Sequence, residues 1–155
     1  MERHFSLTEA GLLMASFGLG GLLYASTAGR LLKRLGEAGL VRSGGLLLGV
    51  AFLMLLAPGF WIIPAIAVFA IGLGLYMLHN TLQTQATQMT PTSRGTAMSL
   101  FACSLFLGQS IGISVAGSIV NQLGFDPLFW IAGISLLALS IWIAAILSRS
   151  HPNPD

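Results

Sequence analysis

Long apolar runs alternate with short polar interruptions along the whole chain. A helix needs about 20 mostly apolar residues to cross a hydrocarbon core of about 30 Å. The pattern predicts five such spans, at approximately 10–29, 43–57, 60–79, 95–120 and 127–147. The first is entered through Ser6-Leu7-Thr8-Glu9, a capping-box pattern in which Ser6 and Glu9 satisfy early backbone N–H groups. The second is short and can lengthen inward to Leu40 if Arg42 snorkels to the interface. Pro58-Gly59 predicts a tight turn before the third span. Trp61 and Tyr76 fall near the ends of that span, at the interfacial levels aromatic residues favour. Pro64 falls in its first turns, where a missing N–H costs least. In the polar segment from Asn80 to Arg94, the first part continues the third helix beyond the membrane. The turn Asn121 to Asp126 leads into the fifth span, and the tail 148–155, with two prolines, is expected to be disordered.

The spans differ in polarity. The second has no polar side chain between Gly44 and Ala57, and the fifth has only Ser135 and Ser140. The first carries Ser16, Tyr24, Ser26 and Thr27, and the third ends in Tyr76, His79 and Asn80. The fourth carries Ser99, Ser104, Gln109, Ser110, Ser114, Ser118 and Asn121. Polar groups at membrane depth need a protein or water partner. The simplest arrangement therefore puts the first, third and fourth spans inside and turns the second and fifth toward lipid. On the fourth span Ser104, Gly108, Gly112 and Ala116 recur every four residues as a stripe of small residues, which lets another helix approach closely. Ser110, Ser114 and Asn121 lie roughly opposite, at about 100° per residue. Two readings stand: packing alone, or a path for a solute. Under the second, the path candidates are Tyr24, Tyr76, Asn80, Gln109, Ser110 and Ser114.

Composition agrees with burial in lipid. Of the 155 residues, 55% are hydrophobic and 8% charged, and the mean hydropathy is +0.85. Soluble domains carry about 25% charged residues, so the pattern describes an all-α membrane protein with a single transmembrane domain over 1–155. The net charge is only +2, and the chain has no basic block of the kind that binds nucleic acid. With five crossings Arg30, Lys33, Arg34, Arg42, Arg94 and Arg149 fall on one side and Arg3 on the other. The positive-inside rule makes the six-residue side cytoplasmic, with the N-terminus outside and the C-terminus inside. Met1 to Glu9 does not read as a signal peptide, lacking a basic region that leads into a cleaved apolar run.

The candidate chemistry is sparse. Cys103 is the only cysteine, so no intramolecular disulfide can form. His4, His79 and His151 are too scattered for a metal motif. No Ser/His/Asp set, paired carboxylates or phosphate-binding glycine loop is visible. The sequence thus reads as non-enzymatic, with no catalytic residues, metal or cofactor.

Four segments carry a resemblance to a known family. They are Leu7-Thr8-Glu9-Ala10-Gly11, Gly29-Arg30-Leu31-Leu32-Lys33-Arg34-Leu35-Gly36, Pro91-Thr92-Ser93-Arg94-Gly95-Thr96-Ala97 and Phe106-Leu107-Gly108-Gln109-Ser110-Ile111-Gly112. In this order they resemble the entry to helix eight, the cytoplasmic signature loop between helices eight and nine, the entry to helix eleven and its glycine stripe in major facilitator superfamily transporters. The signature reads G-x-L-x-D-R-x-G-R-R. Gly29, Leu31, Arg34 and Gly36 match it; Lys33 stands where the family has Asp, and Glu37 and Ala38 where it has basic residues. Lys33 and Glu37 are spaced to pair at i, i+4 if helical. The resemblance implies five helices equivalent to helices eight to twelve of the C-terminal bundle. It also implies transport of a small solute by a secondary transporter, with efflux the expected direction and the bacterial inner membrane the location. Helices one to seven have no counterpart in the chain. The expected partners are the lipid bilayer, an unidentified small-molecule substrate, and either the N-terminal transporter portion or another membrane subunit. A non-transporting membrane interaction protein, or an inactive truncated transporter, is the alternative.

Overall fold

The computed structural model describes residues 6–57 and 60–150, with side chains through Ser148. The expected Pro58-Gly59 turn and residues 151–155 of the expected disordered tail lie outside the described residues. Four helices follow one another: α1 (Leu7–Met54), α2 (Ile62–Met89), α3 (Arg94–Leu123) and α4 (Phe125–Ser150). Each is long and apolar enough to cross a membrane, and no strand occurs among the described residues.

The five expected spans therefore fall on four helices. Both 10–29 and 43–54 of the second span belong to α1, because the basic segment between them is helical rather than a loop. Residues 30–35 are Arg, Leu and Lys, all good helix formers, so nothing interrupts the backbone before Gly36. There φ is 64° and ψ 179°, a break in the helix in a region open essentially to glycine. The break folds α1 back on itself into limbs 7–35 and 37–54. Tyr24 and Leu40, one from each limb, pack in a single buried cluster with Met77 of α2. In a straight helix those two residues would stand about 24 Å apart.

Helix ends follow local chemistry. The Ser6 N–H donates to Glu9 Oε2 at 2.8 Å and the Glu9 N–H donates to Ser6 Oγ at 3.2 Å, completing the capping box. α3 stops at Gly124, where φ is 84° and the N–H donates to the Val120 carbonyl. α2 continues past the apolar run to Met89, carrying Asn80 to Gln88 on a helix as expected. α4 runs through Ser150, so the first residues of the expected tail are helical.

Glycines set the packing. A Cβ on Gly20 would lie 2.7 Å from the Leu73 nitrogen and closer still to the Phe69 carbonyl oxygen. A Cβ on Gly72 would run into the Phe17 backbone. Limb 7–35 and α2 thus cross backbone to backbone. On the other side of α2, Gly74 and Gly44 make a second close crossing, with limb 37–54. Limb 37–54 also receives α4, with Ser140 seated on Gly45 and Leu137 on Gly49.

Limb 37–54, which carries the second span, is consequently the centre of the packing, with Leu40, Val41, Leu48 and Ala51 all buried. The second span is therefore enclosed by α2 and α4 rather than turned toward lipid as expected, whereas the fifth packs on it with one face and leaves Trp130, Ile134 and Trp142 exposed on the other. α3 has no buried residue. The reason is physical: a helix apolar all round serves equally against lipid or protein, and Gly44, Gly45 and Gly49 open two of its faces to neighbours.

Candidate functional site

Beyond the Gly20–Gly72 crossing, a cleft of about 590 Å³ lies between limb 7–35 and α2. Gly18, Gly21, Leu22, Tyr24, Ala25 and Ala28 form one wall, and Tyr76, Asn80, Gln83 and Thr84 the other. The small residues of α1 create the space, and the polar groups of α2 face it one turn apart. Gly21 is essential to this shape, since a Cβ there would strike the Tyr76 ring, whose Cδ2 would lie 2.8 Å away. Tyr76 also packs on Phe17, with ring centroids 6.2 Å apart.

A smaller cavity of about 150 Å³ adjoins the cleft and shares Tyr24, Ala28, Asn80 and Thr84 with it. Gly29, Leu32, Glu37, Leu40 and Thr81 complete its lining. Tyr24 is 7% exposed and shares the lining of this cavity with Thr81. The Thr81 hydroxyl donates to the Met77 carbonyl at 2.8 Å, and that of Thr84 to the Asn80 carbonyl at 2.8 Å. Glu37 Oε2 accepts a hydrogen bond from the Gln85 side-chain amide of α2. Because Gly36 interrupts the helix between Lys33 and Glu37, the expected i, i+4 geometry does not arise, and Gln85 is the partner of Glu37 instead.

The structure brings together three of the six path candidates, Tyr24, Tyr76 and Asn80. Gln109, Ser110 and Ser114 stand apart on α3 and are exposed. Ser110 donates to the Phe106 carbonyl at 2.8 Å and Ser114 to the Ser110 carbonyl at 3.0 Å, so both hydroxyls are satisfied within their own helix. Of the small stripe, Gly108 and Gly112 have nothing within 4 Å of where a Cβ would sit; Ser104 is exposed and Ala116 half-buried. α3 meets α2 through the His79–Phe101 ring pair, 5.6 Å between centroids, and through Gln83 and Met98. Of the signature residues, Gly29 lines the smaller cavity, Leu31 packs on the Tyr24–Leu40–Met77 cluster, Arg34 is exposed and Gly36 makes the turn.

Sequence reasoning missed Gly21, Gln83, Thr84 and Glu37. Thr84 was within reach, because it lies one turn beyond Asn80 and so shares its face once α2 is extended. Glu37 was not, since its position depends on the fold-back at Gly36. Among the described residues, no three His, Cys, Asp or Glu side chains are grouped to hold a metal ion.

The family model of the Major Facilitator Superfamily matches residues 1–155, the full sequence. The chain belongs to this superfamily. Two curated relatives fit that membership. It is similar to "Uncharacterized MFS-type transporter YceJ" of Bacillus subtilis (strain 168), at 26% identity over 87% of this chain and 36% of the relative. It is also similar to "Putative uncharacterized transporter YgaY" of Escherichia coli (strain K12), at 26% identity over 99% of this chain and 40% of the relative. The chain thus spans about two fifths of the length of the curated relatives it matches. No solved structure matches it at a significant level. As a member of a transporter superfamily with four membrane-length apolar helices, it is an integral membrane protein.

Proposed function

We propose that this chain forms part of a secondary transporter that exports a small amphipathic solute, and that the cleft between limb 7–35 and α2 is its contribution to the solute path. One observation carries the reading: three polar path candidates from two helices, Tyr24, Tyr76 and Asn80, converge on one cleft in a chain of this superfamily. Sites in such folds lie near the bilayer midplane between helices. A cleft with apolar walls and a few uncharged polar groups fits a solute of mixed character.

In this reading α1 crosses the membrane twice. Its 48 residues would measure about 72 Å as one straight helix, more than twice the hydrocarbon core, and the Gly36 break supports a hairpin of two crossings. Five crossings then leave the Arg30–Arg42 segment and Arg94 on the cytoplasmic side of the cell membrane, with the N-terminus outside. The exposed stripe of Ser104, Gly108, Gly112 and Ala116 favours association with further helices. Those helices are either the transporter's N-terminal portion or another membrane subunit. The competing reading, a non-transporting interaction protein, rests on the same stripe.

The test is solute flux in proteoliposomes, measured for this chain alone and together with a polypeptide supplying the N-terminal helices of the relatives. Transport should appear in the combined sample and fall at least tenfold, about 1.4 kcal/mol of lost stabilisation, for Tyr76→Ala or Asn80→Ala. Flux that is absent in both samples sinks the transport reading.

A further inference from the structure

The signature segment carries charge that the solute path does not use. Arg30, Lys33 and Arg34 lie on the last turns of limb 7–35. At about 100° per residue they share an arc of about 100°, and all three are exposed. Leu32 and Leu35 follow on either side of that arc and are 46% and 44% exposed. Leu31, by contrast, packs inward on the Tyr24–Leu40–Met77 cluster. Beyond the fold-back, a Cβ on Gly39 would lie 3.0 Å from the Leu35 Cβ, so the two limbs meet here. Arg42, also exposed, follows about 4.5 Å further along limb 37–54. The four cations thus gather at one end of the hairpin. Among the described residues none of them pairs with a carboxylate. Glu37, the one acid in the turn, is bonded to Gln85 of α2 instead. Lys33 deepens the imbalance, because it stands where the signature has an acid.

Arg30 directly follows one apolar span and Arg42 directly precedes the next. With α1 crossing twice, both stand at headgroup level, where clusters of Lys and Arg beside a transmembrane helix attract anionic lipid. Long basic side chains lay their stems along apolar surface and keep their charged heads in the polar layer. Guanidinium groups there bond phosphate oxygens through paired N–H donors. Leu32 and Leu35 add apolar surface that a soluble phosphate has no means to cover. We propose that the basic end of the hairpin binds an anionic phospholipid. Arg30, Lys33 and Arg34 hold its phosphate, Arg42 approaches from the second limb, and Leu32 and Leu35 lie against its acyl chains. This site needs only the two crossings of α1 and is separate from the cleft.

The experiment is native mass spectrometry of the full chain released from mixed micelles of phosphatidylglycerol and phosphatidylcholine, titrated in phosphatidylglycerol. Phosphatidylglycerol should be retained in preference to phosphatidylcholine, whose headgroup has no net charge. Arg30→Gln and Arg34→Gln should each weaken its binding about fivefold, the effect of one cation at a membrane surface. Arg94→Gln removes the same charge from α3, which does not contact α1 among the described residues, and should leave the binding unchanged. The double variant Arg30→Lys, Arg34→Lys keeps both charges and should keep most of the affinity, which separates loss of charge from loss of fold. Soluble glycerol phosphate at matched concentration should not compete, because it has no chains to place on Leu32 and Leu35. The site is overturned if the two lipids are retained equally, or if Arg94→Gln weakens binding as much as Arg34→Gln, which would mean diffuse charge alone. Displacement of the lipid by glycerol phosphate overturns it too, in favour of a soluble phosphate. None of these results bears on whether flux depends on Tyr76 and Asn80, so the solute path stands or falls separately.

Discussion

Gly72→Ala should be the most informative stability change, because its cost comes from backbone that cannot yield. The added methyl would meet the Phe17 backbone across the crossing, where even the Phe17 carbonyl carbon and Cα would lie 3.0 and 3.1 Å away, and the oxygen closer. Ordinary contact begins near 3.4 Å. Limb 7–35 and α2 must then part by about an ångström at this level, and a gap of that size forfeits roughly a quarter to a half of each dispersion contact. A buried side chain's worth of contacts, about 40 at ~0.1 kcal/mol each, would lose about 1–2 kcal/mol. Overpacking by one methyl costs a similar 1–3 kcal/mol. In a membrane this loss is not offset by a hydrophobic gain, since lipid and side chains are equally apolar. Reversible unfolding in bicelles should therefore show Gly72→Ala less stable by about 2 kcal/mol. Gly20→Ala should cost a similar amount, and the double variant less than the sum, because one displacement relieves both clashes. Gly108→Ala, where nothing lies within 4 Å, is the control and should be neutral or slightly stabilising. A Gly72→Ala variant as stable as Gly108→Ala, or strict additivity of Gly20→Ala and Gly72→Ala, would refute the backbone crossing.

Three further outcomes are expected. Gly36→Ala should destabilise the chain by about 1–3 kcal/mol in the same unfolding assay, a purely conformational cost, because φ is 64° and no atom lies near the added methyl. Gly21→Ala should cost less stability than Gly72→Ala, since it meets only the Tyr76 side chain, which can swing aside; the displaced ring should still lower solute flux severalfold in the proteoliposome assay. Gln109→Leu should leave the stability of the isolated chain unchanged or raised, because it removes an exposed carboxamide from membrane depth. The same change should lower crosslinking to added N-terminal helices if those helices supply its partner.

Much of the helical content was legible because hydrophobic run length is a strong signal, and the capping box at Ser6 and Glu9 was legible because it is local. The arrangement of helices was not. The second span carries no polar side chain between Gly44 and Ala57, which in sequence looks lipid-facing, yet Gly44, Gly45, Leu48, Gly49 and Ala51 are all buried. Its information lay in Gly44, Gly45 and Gly49, spaced to receive α2 on one face and α4 on another. Glycine spacing shows that a close approach is possible and does not name the partner. The site was half legible for the same reason: Tyr24, Tyr76 and Asn80 could be picked as polar, but their convergence depends on the Gly20–Gly72 crossing.

The serines of α3 show where a sound rule was applied too broadly. Polar groups at membrane depth must be satisfied, and seven polar side chains on one span suggested an interior helix. Ser99, Ser110, Ser114 and Ser118 each donate to a carbonyl four residues back on the same helix. A hydroxyl can meet its requirement in this way without a neighbour, so serine counts carry little weight about which helix is enclosed. A glutamine cannot do so completely, because its amide offers two donors and its carbonyl two acceptor sites. The demand for a partner on α3 therefore rests on Gln109, beside the stripe of Gly108 and Gly112 where another helix could come closest. One carboxamide next to a surface open to close approach is a more specific reason to expect a helix there than the whole row of serines.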